Sequence, residues 1–359
     1  MFLIELTCEN FRGLSAMRFA PGPGVNLIRG DNAQGKTSIL EALLYLATSK
    51  SHRTNLESEL ARRGEGGFRI GAHVRRHDRD VNIEAAWWQG SKRIRVNGVN
   101  QARVSEILGK IIVVFFSPED VALVRGSAAQ RRTFLDMELS QISPRYLHAL
   151  QQYRQAVKQR NELLRHPQPN DALLDVWDAQ LAAHGATLME ERRQFVQQLA
   201  PGAAQAYEAI AEKEPMVLAY KPDVRLDASL SEILAASRKT DIRQGMTTRG
   251  PHRDDLSFDV DEKAARPFAS QGQQKTAALA LKLAELDLVR ARTGEYPILM
   301  LDDVFSELDA GRSRRLLTAI PPEAQCLLTT TDLTAREDLF GASCARFHIQ
   351  AGNLRREDA

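Results

Sequence analysis

The alternation of apolar and polar residues changes period several times along the chain, and each change marks a different kind of element. Residues 2 to 28 read as strands, broken by a turn at Phe11-Arg12-Gly13-Leu14 and a second at Pro21-Gly22-Pro23-Gly24. Val25 to Ile28 is a short apolar run suited to a buried strand, and Thr37 to Thr48 carries apolar residues at helical spacing with no Gly or Pro. From Phe68 the period becomes two. Phe68 to Val74 and Val81 to Ala85 alternate, and Arg93 to Val96 runs into Asn97-Gly98, a strong hairpin signal. This predicts an antiparallel sheet after a helix. Ile111 to Phe116 reads as a buried strand closed by Ser117-Pro118-Glu119-Asp120.

Beyond it the pattern turns helical. Ser127 with Gln130 makes a capping-box start for a helix to about Leu139, and Pro144 opens another to about Arg165. His166 to Asn170 breaks that helix, and Asp171 to Leu199 resumes it until Pro201. No heptad is sustained over many repeats, so the prediction is a compact helical lobe without a long coiled coil. A strand at Val217 to Tyr220 and a short helix at Ser229 to Ser237 follow. Gly245 to Asp255 is expected to be too polar for core, and His252 within it reads as a loop hydrogen-bonding residue rather than a catalytic one. Gln274 to Arg292 reads as a long helix and Tyr296 to Leu301 as an apolar strand ending in Asp302-Asp303.

The chemistry gathers at two places. Gly30-Asp31-Asn32-Ala33-Gln34-Gly35-Lys36-Thr37 fits G-x-x-x-x-G-K-[ST], a loop whose backbone N–H groups wrap a phosphate. Gly30 and Gly35 permit the close approach, Lys36 places a charge near the β- and γ-phosphates, and the Thr37 hydroxyl is a Mg²⁺ ligand. The flanking strand and helix are those the loop requires, and the helix N-terminus favours an anion. This loop is expected to bind a nucleotide. At the second place, a buried strand cannot hide charge cheaply, so Asp302 and Asp303 are expected to emerge beside the loop. Asp302 is then the Mg²⁺-shell residue and Asp303 the residue that orients the attacking water, with Lys36 and Asp303 as the catalytic pair.

Composition narrows the class without naming it. The chain has 359 residues, 43% hydrophobic and 26% charged, as in an ordinary globular protein of one large or two medium domains. Three distant cysteines give neither a disulfide framework nor a zinc spacing. The start lacks a basic n-region, and no apolar run is long enough to span a bilayer, so a cytoplasmic protein without a membrane partner is expected. Net charge is only +2, yet residues 50 to 132 hold 16 Lys and Arg against 9 Asp and Glu. Arg62-Arg63, Arg75-Arg76, Lys92-Arg93 and Arg131-Arg132 are candidates for phosphate-backbone contact. Runs of this kind also serve as plain solvated surface.

The wide separation of Lys36 and Asp302 points to a nucleotide-binding head carrying an inserted lobe. Ser270-Gln271-Gly272-Gln273, at the start of the long helix, resembles the signature loop of ABC-type ATPases. Leu301-Asp302-Asp303 and Ser306-Glu307-Leu308-Asp309 resemble their Walker B and D-loop. With Leu6 to Leu14, Phe116 to Asp120 and Gly250-Pro251-His252-Arg253-Asp254-Asp255, the chain resembles the RecF family of bacterial recombination mediators over nearly its whole length. The fold expected is α/β: an ABC-type P-loop head of mixed sheet with an antiparallel subdomain, plus a helical lobe. The expected divisions are an N-terminal ATPase part at 1–118, the helical lobe at 119–245, and a C-terminal ATPase part at 246–359.

The resemblance implies a relative of SMC heads that dimerises on ATP and Mg²⁺. Ser270, Gln271, Gly272 and Gln273 of one copy would act in trans on the other copy's nucleotide. It also implies binding to double-stranded and gapped DNA, slow hydrolysis, and loading of RecA with RecR and RecO. Asp303 stands where most ABC ATPases have Glu, Ser117 to Asp120 offers no Q-loop glutamine, and Thr329-Thr330-Thr331 stands where a switch His is usual. Two alternatives remain at this point: a transport ATPase subunit, and a scaffold that binds ATP without significant hydrolysis.

Overall fold

The computed structural model describes residues 1–77, 79–211, 214–331, 340 and 344–357, with the backbone alone of Val104, Ser306 and Glu307. The chain divides into two units. The first comprises Met1–Asp120, Ala206–Lys213 and Ala278–Ala359; the second comprises Val121–Gln205 and Glu214–Ala277.

The first unit contains two sheets. An antiparallel sheet has the order β2-β1-β4-β5-β6-β7, formed by β1 (Phe2–Phe11), β2 (Leu14–Phe19), β4 (Gly67–Arg76), β5 (Arg79–Trp88), β6 (Ser91–Val96) and β7 (Val99–Asn100). A mixed sheet has the order β15-β14-β3-β13-β12-β8, formed by β3 (Val25–Arg29), β8 (Val113–Phe116), β12 (Ile298–Leu301), β13 (Cys326–Thr330), β14 (Ala345–Gln350) and β15 (Asn353–Glu357). Only β15 runs antiparallel to its neighbour there.

The two sheets differ as their sequences require. In the antiparallel sheet Leu3, Leu6, Cys8, Ile70, Val74 and Ile83 turn inward while Glu9, Arg69 and Arg93 face out. Strands β8, β12 and β13 are buried at every residue, which suits parallel strands covered on both faces. Between the sheets lies the helix Lys36–Thr48, buried at all but one of its residues and touching β1, β4, β5, β8 and β13. It cannot move without repacking both sheets. The Asn97-Gly98 hairpin forms as expected, with φ of 49° and 81°.

The second unit contains helices Ala128–Ile142, Pro144–Leu164 and Leu230–Gln244, most of Asp171–Ala211, and a three-stranded sheet of order β11-β10-β9. Its strands are β9 (Met216–Lys221), β10 (Asp255–Val260) and β11 (Lys263–Ala264). The Ser127–Gln130 capping box is formed. Four expectations need correction. The long helix does not end at Pro201 but continues to Ala211. A helical proline costs about 3 kcal/mol, whereas each large apolar side chain buried recovers roughly 1.5–3 kcal/mol, and Tyr207 and Ile210 beyond it are buried. The helix placed at Ser229 to Ser237 runs on to Gln244, where Gly245 (φ 64°) ends it. Residues 246–277 belong to the second unit rather than with the C-terminal ATPase part, because β10 pairs with β9 along its full length. That pairing gives the lobe a sheet of its own.

The fourth correction concerns Gly245 to Asp255, which is substantially buried. Its polar groups are matched within the unit. Asp254 accepts from Arg192 Nη1 at 2.8 Å, from the Asp223 N–H at 2.9 Å and from the Tyr220 hydroxyl. Arg192 also reaches Asp136 at 2.8 Å and the Pro251 carbonyl at 2.7 Å. A second buried guanidinium, Arg160, holds Asp178, Asp241 at 2.7 Å and Thr247 at 3.0 Å. Removing one partner from such a pair costs about 3–5 kcal/mol, so these ions define the lobe's interior.

His252 is enclosed by the same network. Its Nε2–H donates to the Thr247 carbonyl at 2.9 Å, and Nδ1 accepts from the Tyr153 hydroxyl at 2.7 Å. Burial lowers its pKa, so the native ring is neutral. The unfolded ring binds a proton near about pH 6.5, and the folded ring resists until lower pH. This contribution is therefore intact above about pH 6.5 and is lost as pH falls through that range. Denaturant unfolding should show the stability advantage of wild type over His252→Asn shrinking between pH 7.5 and 5; a gap independent of pH would contradict it.

Candidate functional site

Strand β3 delivers the glycine-rich loop, and the helix Lys36–Thr48 carries it away. Gly35 has φ of 112°, and a Cβ there would meet Leu14 Cδ2 at 3.0 Å and Ile349 Cδ1 at 3.1 Å. At Gly30 a Cβ would lie 2.3 Å from the Ile349 carbonyl oxygen. Ala33 takes φ of 63° without being glycine, so the loop holds a conformation its local sequence disfavours. The β14–β15 turn holds it there: Gln34 Oε1 accepts the Ala351 N–H at 2.6 Å, and the Gln34 carbonyl accepts the Gly352 N–H at 3.1 Å.

Lys36 is buried, and its ammonium donates to the Gly30 and Asp31 carbonyls at 2.6 and 2.8 Å. Burial lowers its pKa, opposed by the charges of Asp303, Asp302 and Asp31. The two carboxylates stand at the end of β12, as the sequence predicts. Thr37 Oγ1 donates to Asp302 Oδ1 at 3.1 Å across 265 positions of chain. Asp302 also accepts from Thr329 Oγ1 at 2.6 Å. Lys36, Thr37 and Asp302 line one crevice of about 600 Å³, together with Asn32, Ala33, Gly35, Asp303 and Thr331. Among the described residues no cluster of three or more His, Cys, Asp or Glu forms a metal cage. The hydroxyl–carboxylate pair of Thr37 and Asp302 instead fits Mg²⁺, which keeps waters and shares phosphate oxygens.

Sequence reasoning missed a charged wall of this crevice. Arg12, in the β1–β2 turn with φ of 53°, donates to both oxygens of Glu41 at 3.0 and 2.6 Å and to the Glu59 carbonyl at 2.8 Å. Arg12, Arg53 and Glu59 all line the crevice. Glu41 is fully buried in the P-loop helix and also accepts from Ser51 at 2.5 Å. A lone carboxylate among apolar helix residues was the signal available.

The other candidates divide. Ser270–Gln273 lie in the second unit, so the crevice is lined without them. Ser270 caps the helix Gln271–Thr293: its Oγ accepts the Gln273 N–H at 3.2 Å, and Gln273 Oε1 accepts the Ser270 N–H at 2.7 Å. The Ser306 and Glu307 side chains of the D-loop-like stretch lie outside the described residues. Arg131 is corrected: it is buried and bidentate to Asp255 at 2.5 and 3.0 Å, so it is no surface cation. Arg75 pairs with Asp80, Arg76 with Glu295, Lys92 with Glu57, and Arg132 donates to the Asp254 carbonyl. Arg62, Arg63 and Arg93 are exposed.

A family model described as "AAA domain" matches residues 5–168. The chain is 42% identical over 375 residues to "DNA replication and repair protein RecF" of Latilactobacillus sakei subsp. sakei, covering 100% of both. With the RecF of Pediococcus pentosaceus it shares 39% identity over 348 residues, 93% of each chain. The chain belongs to the RecF family. Its fold agrees with a solved RecF structure, "Structure of the recombination mediator protein RecF-ATP in RecFOR pathway", at a TM-score of 0.90, 33% identity and coverage of 99% of this chain and 98% of that one. An SMC head bound to the C-winged helix domain of ScpA has the same fold at a TM-score of 0.63 and 14% identity. No helix among the described residues is long and apolar enough to cross a membrane.

The loop geometry makes a prediction. Strain of about 1–3 kcal/mol at a left-handed position corresponds to roughly five- to 150-fold in affinity. Gly35→Ala should fold but bind a nucleoside triphosphate that much more weakly by isothermal titration. Wild-type affinity in this variant would show that the loop does not wrap phosphate in the conformation seen.

Proposed function

We propose that this chain is an ATP-dependent DNA-binding protein of recombinational repair and replication-fork maintenance, acting in the cytoplasm. In this reading ATP drives a homodimer onto double-stranded or gapped DNA, slow hydrolysis ends its residence, and RecR and RecO join it in loading RecA. The observation that carries the nucleotide part is the Thr37–Asp302 hydrogen bond, which joins the phosphate loop to the acidic strand end in one crevice. Full-length likeness to proteins named for DNA replication and repair, and to a RecF–ATP structure of the RecFOR pathway, supports the rest.

The roles follow from position. Backbone N–H groups of Asn32 to Lys36 would wrap the phosphates, and Lys36 would neutralise charge on the β- and γ-oxygens. Thr37 and Asp302 would hold Mg²⁺, whose chemistry is to offset charge on the transferring phosphoryl group. Hydrolysis forms a bond from a water oxygen to the γ-phosphorus and breaks its bond to the β–γ bridging oxygen, which leaves on ADP. The water's protons end on phosphate and solvent. Asp303 orients that water. Its short carboxylate, and Thr329-Thr330-Thr331 where a switch histidine is usual, leave the water loosely held, which accounts for slow turnover.

Ser270 and Gly272 of one copy would meet the nucleotide of the other, the helix N-terminus adding partial positive charge. Of the candidate cations, Arg62, Arg63 and Arg93 are exposed and would meet phosphate backbone, while Arg75, Arg76, Lys92 and Arg132 have partners within the chain. Asp303→Asn separates the steps. It should lower ATP turnover by about 10²-fold or more, as expected for loss of general base chemistry, while light scattering still detects ATP-dependent dimers. Normal hydrolysis would remove Asp303 from the water-orienting role, and loss of dimers would show that it acts in binding.

A further inference from the structure

The Thr329 hydroxyl stands between the two acidic residues at the end of β12. It donates to Asp302 Oδ1 at 2.6 Å and accepts the backbone N–H of Asp303 at 3.0 Å. The direction of both bonds is fixed, because an N–H can only donate and the hydroxyl has one proton to give. Thr329 is fully buried, in a strand that pairs with β12 on one side and β3 on the other. It therefore has neighbours on both sides that carry the loop and the carboxylates.

Each bond constrains a different group. Asp302 Oδ1 receives Thr329 and Thr37 together, which fixes the rotation of the carboxylate and leaves Oδ2 as the oxygen these two hydroxyls do not use. Asp303 adopts φ 47° and ψ 33°, a left-handed turn that a residue with a Cβ rarely takes. The Thr329 oxygen anchors the N–H of that turn, and Asp303 lines the crevice. A buried threonine is most simply a β-branched filler, its hydroxyl satisfied on nearby main chain. Here it reaches the neighbouring strand end in both of its roles, and a valine would fill the same volume without either bond.

We propose that Thr329 is a positioning residue for ATP hydrolysis: one hydroxyl sets the Asp302 carboxylate and the Asp303 turn together, so the cation-holding and water-orienting groups keep a fixed separation. This rests on the nucleotide-hydrolysing reading given above. Partners that orient metal-ligating side chains typically change metal affinity or activity about 10–100-fold when removed.

The test compares Thr329→Val with Thr329→Ser in the full chain, by steady-state ATP hydrolysis and by binding of a non-hydrolysable ATP analogue titrated with Mg²⁺. Thr329→Val should lower kcat by about tenfold or more with KM nearly unchanged, and should raise the Mg²⁺ concentration that half-saturates analogue binding by a similar factor. Thr329→Ser keeps the hydroxyl and should restore both. A packing role predicts the opposite order, with Val near wild type and Ser impaired, and that order overturns the proposal. If Thr329→Val fails to fold, Thr329→Ala provides the same comparison with Ser. If the wild type proves unable to hydrolyse ATP, the functional reading fails by itself. The Mg²⁺ titration then still decides, since an unchanged Mg²⁺ requirement in Thr329→Val overturns the positioning role.

Discussion

A buried ammonium and two carboxylates are brought together at the ends of β3 and β12, the two strands that flank β13, by a hydrogen bond spanning 265 residues of chain. Three such groups are costly to hold near one another away from bulk water, and each is stable only because the others and the loop carbonyls are in place. The loop supplies the Lys36 acceptors, the Thr37 hydroxyl ties the loop to Asp302, and Thr329 ties Asp302 to the backbone of Asp303. Much of the first unit can be read as the scaffold for this arrangement. The mixed sheet aligns the strand ends, and the P-loop helix is clamped between two sheets so that the loop cannot drift.

The second unit is held by a different balance. Its interior contains Arg160 and Arg192, each surrounded by carboxylates and hydroxyls, and Asp254, just before β10, reaches into that interior. Replacing such ions with well-packed apolar groups is often neutral or stabilising, whereas removing one partner is severe. The network therefore fixes one geometry for residues 245–255 more than it adds stability.

Local chemistry made much of this legible in the sequence. The glycine-rich loop, the apolar strand ending in Asp302-Asp303, the Asn97-Gly98 hairpin and the Ser127 capping box each depend on residues a few positions apart, and each lies where it was read. What stayed hidden depends on partners far along the chain. Pro201 reads as a helix end until Tyr207 and Ile210 are known to be buried. Arg131 reads as a surface cation until Asp255 meets it. The pairing of Arg12 with Glu41 beside the crevice, and the clamp of Ile349 and Gly352 on the loop, join segments no periodicity connects. A threonine in an apolar strand gives no sign that its hydroxyl serves two aspartates.

In the proposed function the nucleotide crevice of one copy is completed by the signature helix of a second, and this assembly holds DNA. Sedimentation velocity of the full chain with and without ATP–Mg²⁺, each repeated with a short duplex, tests it most directly. Monomers without nucleotide, dimers with ATP–Mg²⁺, and duplex carried with the dimer alone are the expected result. A monomer indifferent to ATP, with or without duplex, would contradict it.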